Sequence, residues 1–155
     1  NQVDGASPAD ACVQALLQIL DASNDDPVSV ADLVCIVDKE SIGREIVTQL
    51  RARKIRVLDT FGGADDKRER EEESRRKKQR FYKGDARVKV TTVQSFKGWE
   101  SKALVVQISD ASSEKSLSLA YTAITRLKRD DRGCYMTVVC SAPQLREYGN
   151  LWPAS

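Results

Sequence analysis

The residues best suited to chemistry lie in two segments, TTVQSFKGWE at positions 91–100 and LAYTAITRLK at 119–128. The first follows a strand-like run, VKVTTV, that ends in Thr91 and Thr92 and turns through Ser95 to Gly98. Such a turn puts hydroxyls and backbone N–H groups at the carboxyl edge of a sheet, where open α/β sheets bind ligands. Gly98 lets a backbone approach a phosphate closely, and Glu100 can accept hydrogen bonds from a ribose hydroxyl. Taken alone, S-F-K-G is more simply an ordinary polar turn between two strands. In the second segment the spacing predicts a helix over Leu117–Lys128. Leu117, Ala120, Tyr121, Ile124 and Lys128 share one face of it, and at about 100° per residue Arg126 lies nearly opposite Leu117, beside Leu119 and Ala123. A guanidinium on that side suits a terminal phosphate, being always charged and able to make two parallel hydrogen bonds. Taken alone, Arg126 is more simply a surface charge beside Lys128 and Arg129, in a basic helix end that suits the dipole.

Other chemistries are excluded. The chain has no histidine, which removes Ser-His-Asp and Cys-His catalysis and every imidazole metal ligand. No C-x-x-C pair occurs among Cys12, Cys35, Cys134 and Cys140. Cys134 and Cys140 fall in one predicted strand, roughly 20 Å apart at about 3.3 Å per residue, too far to share a metal. The expectation is no metal site and four buried, small hydrophobes in a reducing cytoplasm. No G-x-x-x-x-G-K-[ST] phosphate loop occurs either, so the chain is at most half of an ATPase.

Those segments need elements to hold them. The 155 residues are one domain's worth, with 41% hydrophobic and 31% charged residues, enough for a single buried core. No apolar run reaches membrane-span length and no signal-peptide pattern opens the chain. The net charge of +2 is too small to announce nucleic-acid binding, so any basic surface is local. Ser7 followed by Pro8 starts a helix, with Ser7 as N-cap and Asp10 in the first turn. Val13, Leu16, Leu17 and Leu20 continue it, and Asn24 to Pro27 is a loop. The run DLVCIV at 32–37 suits a strand covered on both faces. A helix through Ser41–Arg53 follows, with Ile42, Ile46 and Leu50 on one face, then strands at Ile55–Leu58, Val88–Val93, Ala103–Ile108 and Tyr135–Cys140. Strands alternating with helices predict an α/β domain with a mostly parallel sheet.

Residues 65–80, DDKREREEESRRKKQR, interrupt that alternation. Glu71–Arg75, Glu72–Arg76 and Glu73–Lys77 are favourable i,i+4 pairs, so an exposed helix fits, as does disorder. There is no apolar stripe to bury. The expectation is a solvated linker whose replacement by a short Gly/Ser loop changes little. In the second reading, Arg75 to Arg80 with Phe81 and Tyr82 touch a nucleic-acid backbone and its bases.

Together and in this order, the two segments resemble motifs V and VI of the UvrD/Rep-like superfamily 1 DNA helicases. Motif V reads approximately T-x-H-x-x-K-G-L-E, and here Thr92, Gln94 in place of His, Lys97, Gly98, Trp99 in place of Leu, and Glu100 stand in those positions. Motif VI reads approximately Y-V-A-x-T-R-A, matched by Tyr121, Thr122, Ala123, Ile124, Thr125, Arg126 and Leu127. The resemblance covers roughly residues 30–60 and 87–140. It implies the second RecA-like motor domain of a helicase, a three-layer domain lacking its own phosphate loop. It also implies roles: Arg126 as the arginine finger, Gly98, Glu100 and Lys97 at the nucleotide, and Thr92, Gln94 and Thr91 on single-stranded DNA. ATP and Mg²⁺ would be held mainly by an N-terminal RecA-like domain of the same protein. Many members carry a large accessory domain where this chain has Gly62–Gly84, which is too short for one; the charged segment occupies that slot. The alternative is a non-catalytic helicase-like module for nucleic-acid or protein contact.

Overall fold

Apolar runs that no solvated face interrupts build the centre of the molecule. The computed structural model describes residues 7–22, 28–63, 67–82, 84–131, 133–149 and 151. The runs form β1 (Leu33–Val37), β2 (Val57–Asp59), β3 (Val88–Thr92), β4 (Ala103–Ile108) and β5 (Tyr135–Cys140). They pair in parallel throughout, in the order β2-β3-β1-β4-β5. Every residue of β1 to β4 is buried, as a sheet sandwiched between two layers requires.

Alternation divides each strand between two cores. Leu33, Cys35 and Val37 of β1 join a cluster with Val13, Leu16, Ile46 and Leu50 from α1 (Pro8–Ala22) and α2 (Glu40–Ala52). Val34 and Ile36 join a second cluster on the opposite face, with Phe96 and with Ala120 and Ala123 of α4 (Glu114–Ile124). This is the expected three-layer α/β arrangement. The charged segment forms α3 (Lys67–Arg80), between β2 and β3, and the chain closes on a short α5 (Arg146–Gly149). The predicted Asn24–Pro27 loop lies outside the described residues.

Local chemistry sets the element ends. Ser7 Oγ accepts from Asp10 N at 3.1 Å while Asp10 Oδ2 accepts from Ser7 N at 3.2 Å, a reciprocal cap at the predicted helix start. At the end of α2, Lys54 adopts φ 61. Ile55 N donates to Leu50 O at 3.0 Å and Lys54 N to Arg51 O at 2.9 Å. These are the paired bonds of a Schellman closure, so residues 53–55 belong to the helix end. That is why the second strand begins at Val57 and not at Ile55 as expected.

The helix of the second segment also differs. Ser113 caps it in a box with Ser116, and Thr125 closes it, so it spans Glu114–Ile124 and not Leu117–Lys128. Its sheet-facing side is Ala120 and Ala123, with Leu119 and Ile124 packed against the same cluster. Of the expected core stripe, Ala120 is buried and Ile124 packs against the cluster, whereas Leu117 is 45% and Tyr121 72% exposed. Two alanines let the helix sit closer to the sheet than a Leu/Tyr face would. The cysteines split as well: Cys12 and Cys35 are buried, whereas Cys134 and Cys140 are exposed because they flank and end an edge strand. The hydrogen bond with Cys12, reinforced by burial, pushes the Cys35 thiol well above its ordinary range.

Candidate functional site

The connection from β3 to β4 has to step over β1 and return from the carboxyl to the amino edge, because both strands run parallel to it. Residues 93–102 make that return in one compact turn. Thr92 starts it: Oγ1 donates to Ser95 Oγ at 3.0 Å and accepts from Ser95 N at 3.2 Å. Phe96 N then donates to Thr92 O, and Trp99 N to Phe96 O, each at 3.1 Å. Phe96 is fully buried and holds the turn onto the second core. Gln94, Lys97, Gly98 and Glu100 are left exposed. Gly98 has φ +86 and open space where a Cβ would stand, so its backbone can be closely approached.

The turn ends against the second segment. Ser101 is buried, its hydroxyl donates to Asp32 O ahead of β1, and its N–H donates to Arg126 O at 3.0 Å. Lys128 N returns a bond to Ser101 O at 2.8 Å, completing a parallel bridge of Ser101 with Leu127. Glu100 and Arg126 are therefore backbone neighbours at the amino edge. The sequence expectation had the whole turn at the carboxyl edge; only its start, at Thr92 and Gln94, is there.

Arg126 lies beyond the helix and not on its outer face. Nε donates to Thr122 O at 3.1 Å and Nη2 to Thr125 Oγ1 at 3.3 Å. The half-buried guanidinium thus folds over its own helix end, with most of its five N–H donors uncommitted. Thr91 is buried, and its hydroxyl meets that of Thr60 at 2.9 Å. It fixes the strand end and presents no free hydroxyl to solvent.

The segment expected as a solvated linker is fastened to this edge. Lys77 Nζ reaches Asp59 Oδ1 at 3.1 Å and Phe61 O at 2.7 Å. Ser74 Oγ donates to Thr60 O at 2.8 Å. Phe81, which the second reading placed against nucleic acid, is buried, with its ring edge-on to Phe96 at 6.4 Å and to Trp99 at 6.1 Å. Trp99, which stands in place of the motif V Leu, and Phe96 thus form the seat for the end of α3.

Polar residues that motif spacing did not mark hold the carboxyl edge. Asp59 is 5% exposed and accepts from Arg51 at 2.7 Å as well as from Lys77. Asp38 Oδ2 accepts from Ser109 N at 2.6 Å and Ser109 Oγ at 2.7 Å, joining the ends of β1 and β4. Hydrogen bonds from Ser112 hold the Asp110 carboxyl below its usual range. The signal was present: the strand runs CIVD, RVLD and QISD each close on an aspartate. Lys89, in the middle of β3, is fully buried, with Nζ on the carbonyls of Ala31 and Asp85, both at 2.7 Å; nothing in VKVTTV signalled that.

Among the described residues, no group of three or more acidic or cysteine side chains is arranged to hold a metal. No helix among them is long and apolar enough to cross a membrane.

No protein-family model and no curated protein matches the sequence. Solved structures do. The C-terminal domain of a possible DNA helicase from Lactobacillus plantarum WCFS1 aligns over 88% of this chain and 72% of its own, with TM-score 0.53 and 18% identity. Domain 2 of the DEAD-box helicase Mss116p, solved bound to an RNA duplex, aligns over 86% of this chain with TM-score 0.50 and 16% identity. The C-terminal part of the Fun30 ATPase domain aligns over 97%, with TM-score 0.50 and 10% identity. The chain spans about half the length of the latter two, 51% and 46%. With its five parallel strands between helical layers, the chain has the RecA-like α/β fold of these C-terminal helicase domains.

Proposed function

We propose that this chain is the second motor domain of an ATP-dependent DNA helicase or translocase of the UvrD/Rep type. The observation that carries the reading is the Ser101–Arg126 pairing, which brings the Lys-Gly-x-Glu turn and the Thr-Arg pair to one edge. That edge offers a guanidinium, a carboxylate and an accessible glycine backbone. The set fits one wall of a nucleotide site: Arg126 for the terminal phosphate, Glu100 for a ribose hydroxyl, Gly98 and Lys97 for phosphate oxygens. ATP and Mg²⁺ would supply the transferable phosphoryl group and the cation that neutralises it, both held mainly by a first motor domain of the same cytoplasmic protein.

On closure of the two domains, Arg126 leaves its contacts with Thr122 and Thr125 and crosses to the γ-phosphate. There it stabilises charge developing in the transition state. Thr92 and Gln94, at the opposite end of the turn, contact single-stranded DNA, with Thr91 fixing the strand beneath them.

The test is ATP turnover by the longer protein. Arg126→Ala should lower it by on the order of 10³ or more, since an arginine finger contributes about 10³–10⁵. Thermal unfolding should be unchanged, because the guanidinium contacts only its own helix end. Arg126→Lys should restore little, as an ammonium lacks the planar fork. Full turnover in the lysine variant would reduce Arg126 to a surface charge and return the chain to a non-catalytic binding module.

A further inference from the structure

The fixed position of α3 creates a groove that nothing above uses. It lies between α3 and the first residue of α2 and measures about 560 Å³, lined by Glu40, Arg70, Glu71, Ser74, Arg75 and Lys78. Both walls stand at the carboxyl edge. Glu40 follows the end of β1, and α3 is bonded through Ser74 and Lys77 to Thr60 and Phe61 after β2. The end of β3, with Thr91 and Thr92, lies between those two strands in the sheet. The groove therefore stands beside the carboxyl end of the 93–100 turn.

Its charge is basic once internal pairs are removed. Glu40 is paired with Arg44 at 3.1 Å, and Ser74 is spent on Thr60 O. Of the helix's other acids, Glu73 turns inward to Lys77 at 3.1 Å and Glu72 pairs with Arg68 at 3.7 Å. Arg75 and Lys78 are exposed, and their side chains form no hydrogen bond or ion pair among the described residues. Glu71 also lines the groove and makes no ion pair among the described residues, so its carboxylate offsets one of these two cations and the uncommitted side chains sum to one positive charge. Arg76 and Arg80 are also exposed and without such bonds, but do not line the groove.

We propose that this groove is a backbone site for single-stranded nucleic acid, with Arg75 and Lys78 on consecutive phosphates, extending the track that begins at Thr92 and Gln94. Two cations on the rim of an open channel at a ligand-binding edge match a polyanion running along it. The inference rests on the helicase reading for the direction of the strand, and its test separates the two.

The test is fluorescence anisotropy of a labelled oligo-dT strand against the 155-residue chain, repeated across a salt series. Three variants are compared with wild type. Arg75→Gln with Lys78→Gln empties the groove of its free cations. Arg76→Gln with Arg80→Gln removes the same charge from the same helix outside it. Gln94→Ala, at an exposed position, alters the proposed track alone.

Wild type should bind with a salt-dependent affinity. The groove variant should bind more weakly, with the slope of log K against log salt flattened by about 1.4, from about 0.7 per lost phosphate contact on a single strand. The Arg76/Arg80 variant should stay close to wild type in slope. Equal losses in the two charge variants would make the effect a general field and overturn the groove; so would an unchanged groove variant or a wild type that does not bind. A groove variant that loses affinity while the Gln94→Ala variant keeps it would sustain the groove and refute the helicase-type track. All substituted cations are exposed, so equal melting temperatures verify that each variant is folded.

Discussion

Lys77→Met should destabilise the chain by about 2 kcal/mol, although Lys77 sits in a helix with almost no apolar residue. Lys77 Nζ donates to Phe61 O at 2.7 Å and lies 3.1 Å from Asp59 Oδ1 and 3.1 Å from Glu73 Oε1. The Lys77 side chain is 30% exposed and that of Asp59 5%. A hydrogen bond from a charged donor contributes about 1.5–3 kcal/mol. The ion pair with Asp59 is partly open to water and counts for about 1 kcal/mol at most. Methionine keeps the stem, and Asp59 keeps Arg51 and the Phe61 N–H, so part of the sum is retained. At about 2–4 °C per kcal/mol for a domain of this size, the melting temperature should fall by about 4–8 °C. Urea unfolding of wild type, Lys77→Met, Asp59→Asn and the double variant gives the coupling directly; about 1 kcal/mol is expected between the two positions. Lys78→Met, one residue along and with no side-chain partner among the described residues, should stay within about 0.5 kcal/mol. If Lys77→Met were as mild as Lys78→Met, α3 would not be clamped to the sheet edge, and a Gly/Ser loop could replace it without loss.

Three further outcomes follow from the local geometry. Lys54→Gly should stabilise by about 1 kcal/mol in urea unfolding, because a left-handed φ of 61 is costly for lysine and free for glycine. Gly43→Ala should destabilise by about 1–3 kcal/mol, since the new methyl would overlap the Phe61 ring and crowd Val37; circular dichroism melts measure it. The hydrogen bond from Gln49, at 2.7 Å, leads the causes that hold the Asp10 carboxyl below its ordinary range. A carboxylate lowered by folding stabilises above its unfolded pKa and loses that contribution as pH falls through the folded value. Asp10→Asn should therefore flatten the decline of melting temperature on the acid side while leaving its shape at neutral pH.

The sheet was legible because its strands announce themselves twice, as apolar runs and as runs of the right length. DLVCIV suited a strand covered on both faces, and Leu33–Val37 is one; the strand expected at Ala103–Ile108 is buried throughout as well. Element ends were less legible because they depend on bonds between backbone groups. The Schellman closure at Lys54 has no glycine to mark it, so the following strand was expected two residues too soon. The face of α4 was misassigned for a different reason. Periodicity put Leu117 and Tyr121 on the core stripe with Ala120 and set Ala123 opposite, whereas the sheet takes Ala120 and Ala123 and leaves Leu117 and Tyr121 exposed. The role of α3 was hidden altogether. A polar face that buries Lys77 and Ser74 against strand-end carbonyls has no hydrophobic signature, and only Phe81 at its end hinted at a seat in the core.

The candidate site was legible as residue types but not as a shape, and the shape bears on mechanism. Residues 93–100 span the sheet from one edge to the other with both ends fixed. Thr92 and Ser95 lock the carboxyl end, and Ser101 locks the amino end to both Asp32 and Arg126. Between them Phe96 is fully buried and Trp99 half-buried, with Phe81 wedged edge-on against both. A close-packed segment of this kind has little room to deform, because interiors are as dense as organic crystals. Anchored through Phe96, Trp99 and Phe81, the turn is expected to move with the domain as a strut, with Gln94, Lys97, Gly98 and Glu100 on its exposed side. Under the proposed function, a shift of Arg126 toward a nucleotide on a neighbouring domain carries Thr92, Gln94 and the end of α3 with it as one body. The coupling between the two edges then needs no relay of side-chain rearrangements. It follows from the rigid seating of one aromatic turn across a parallel sheet.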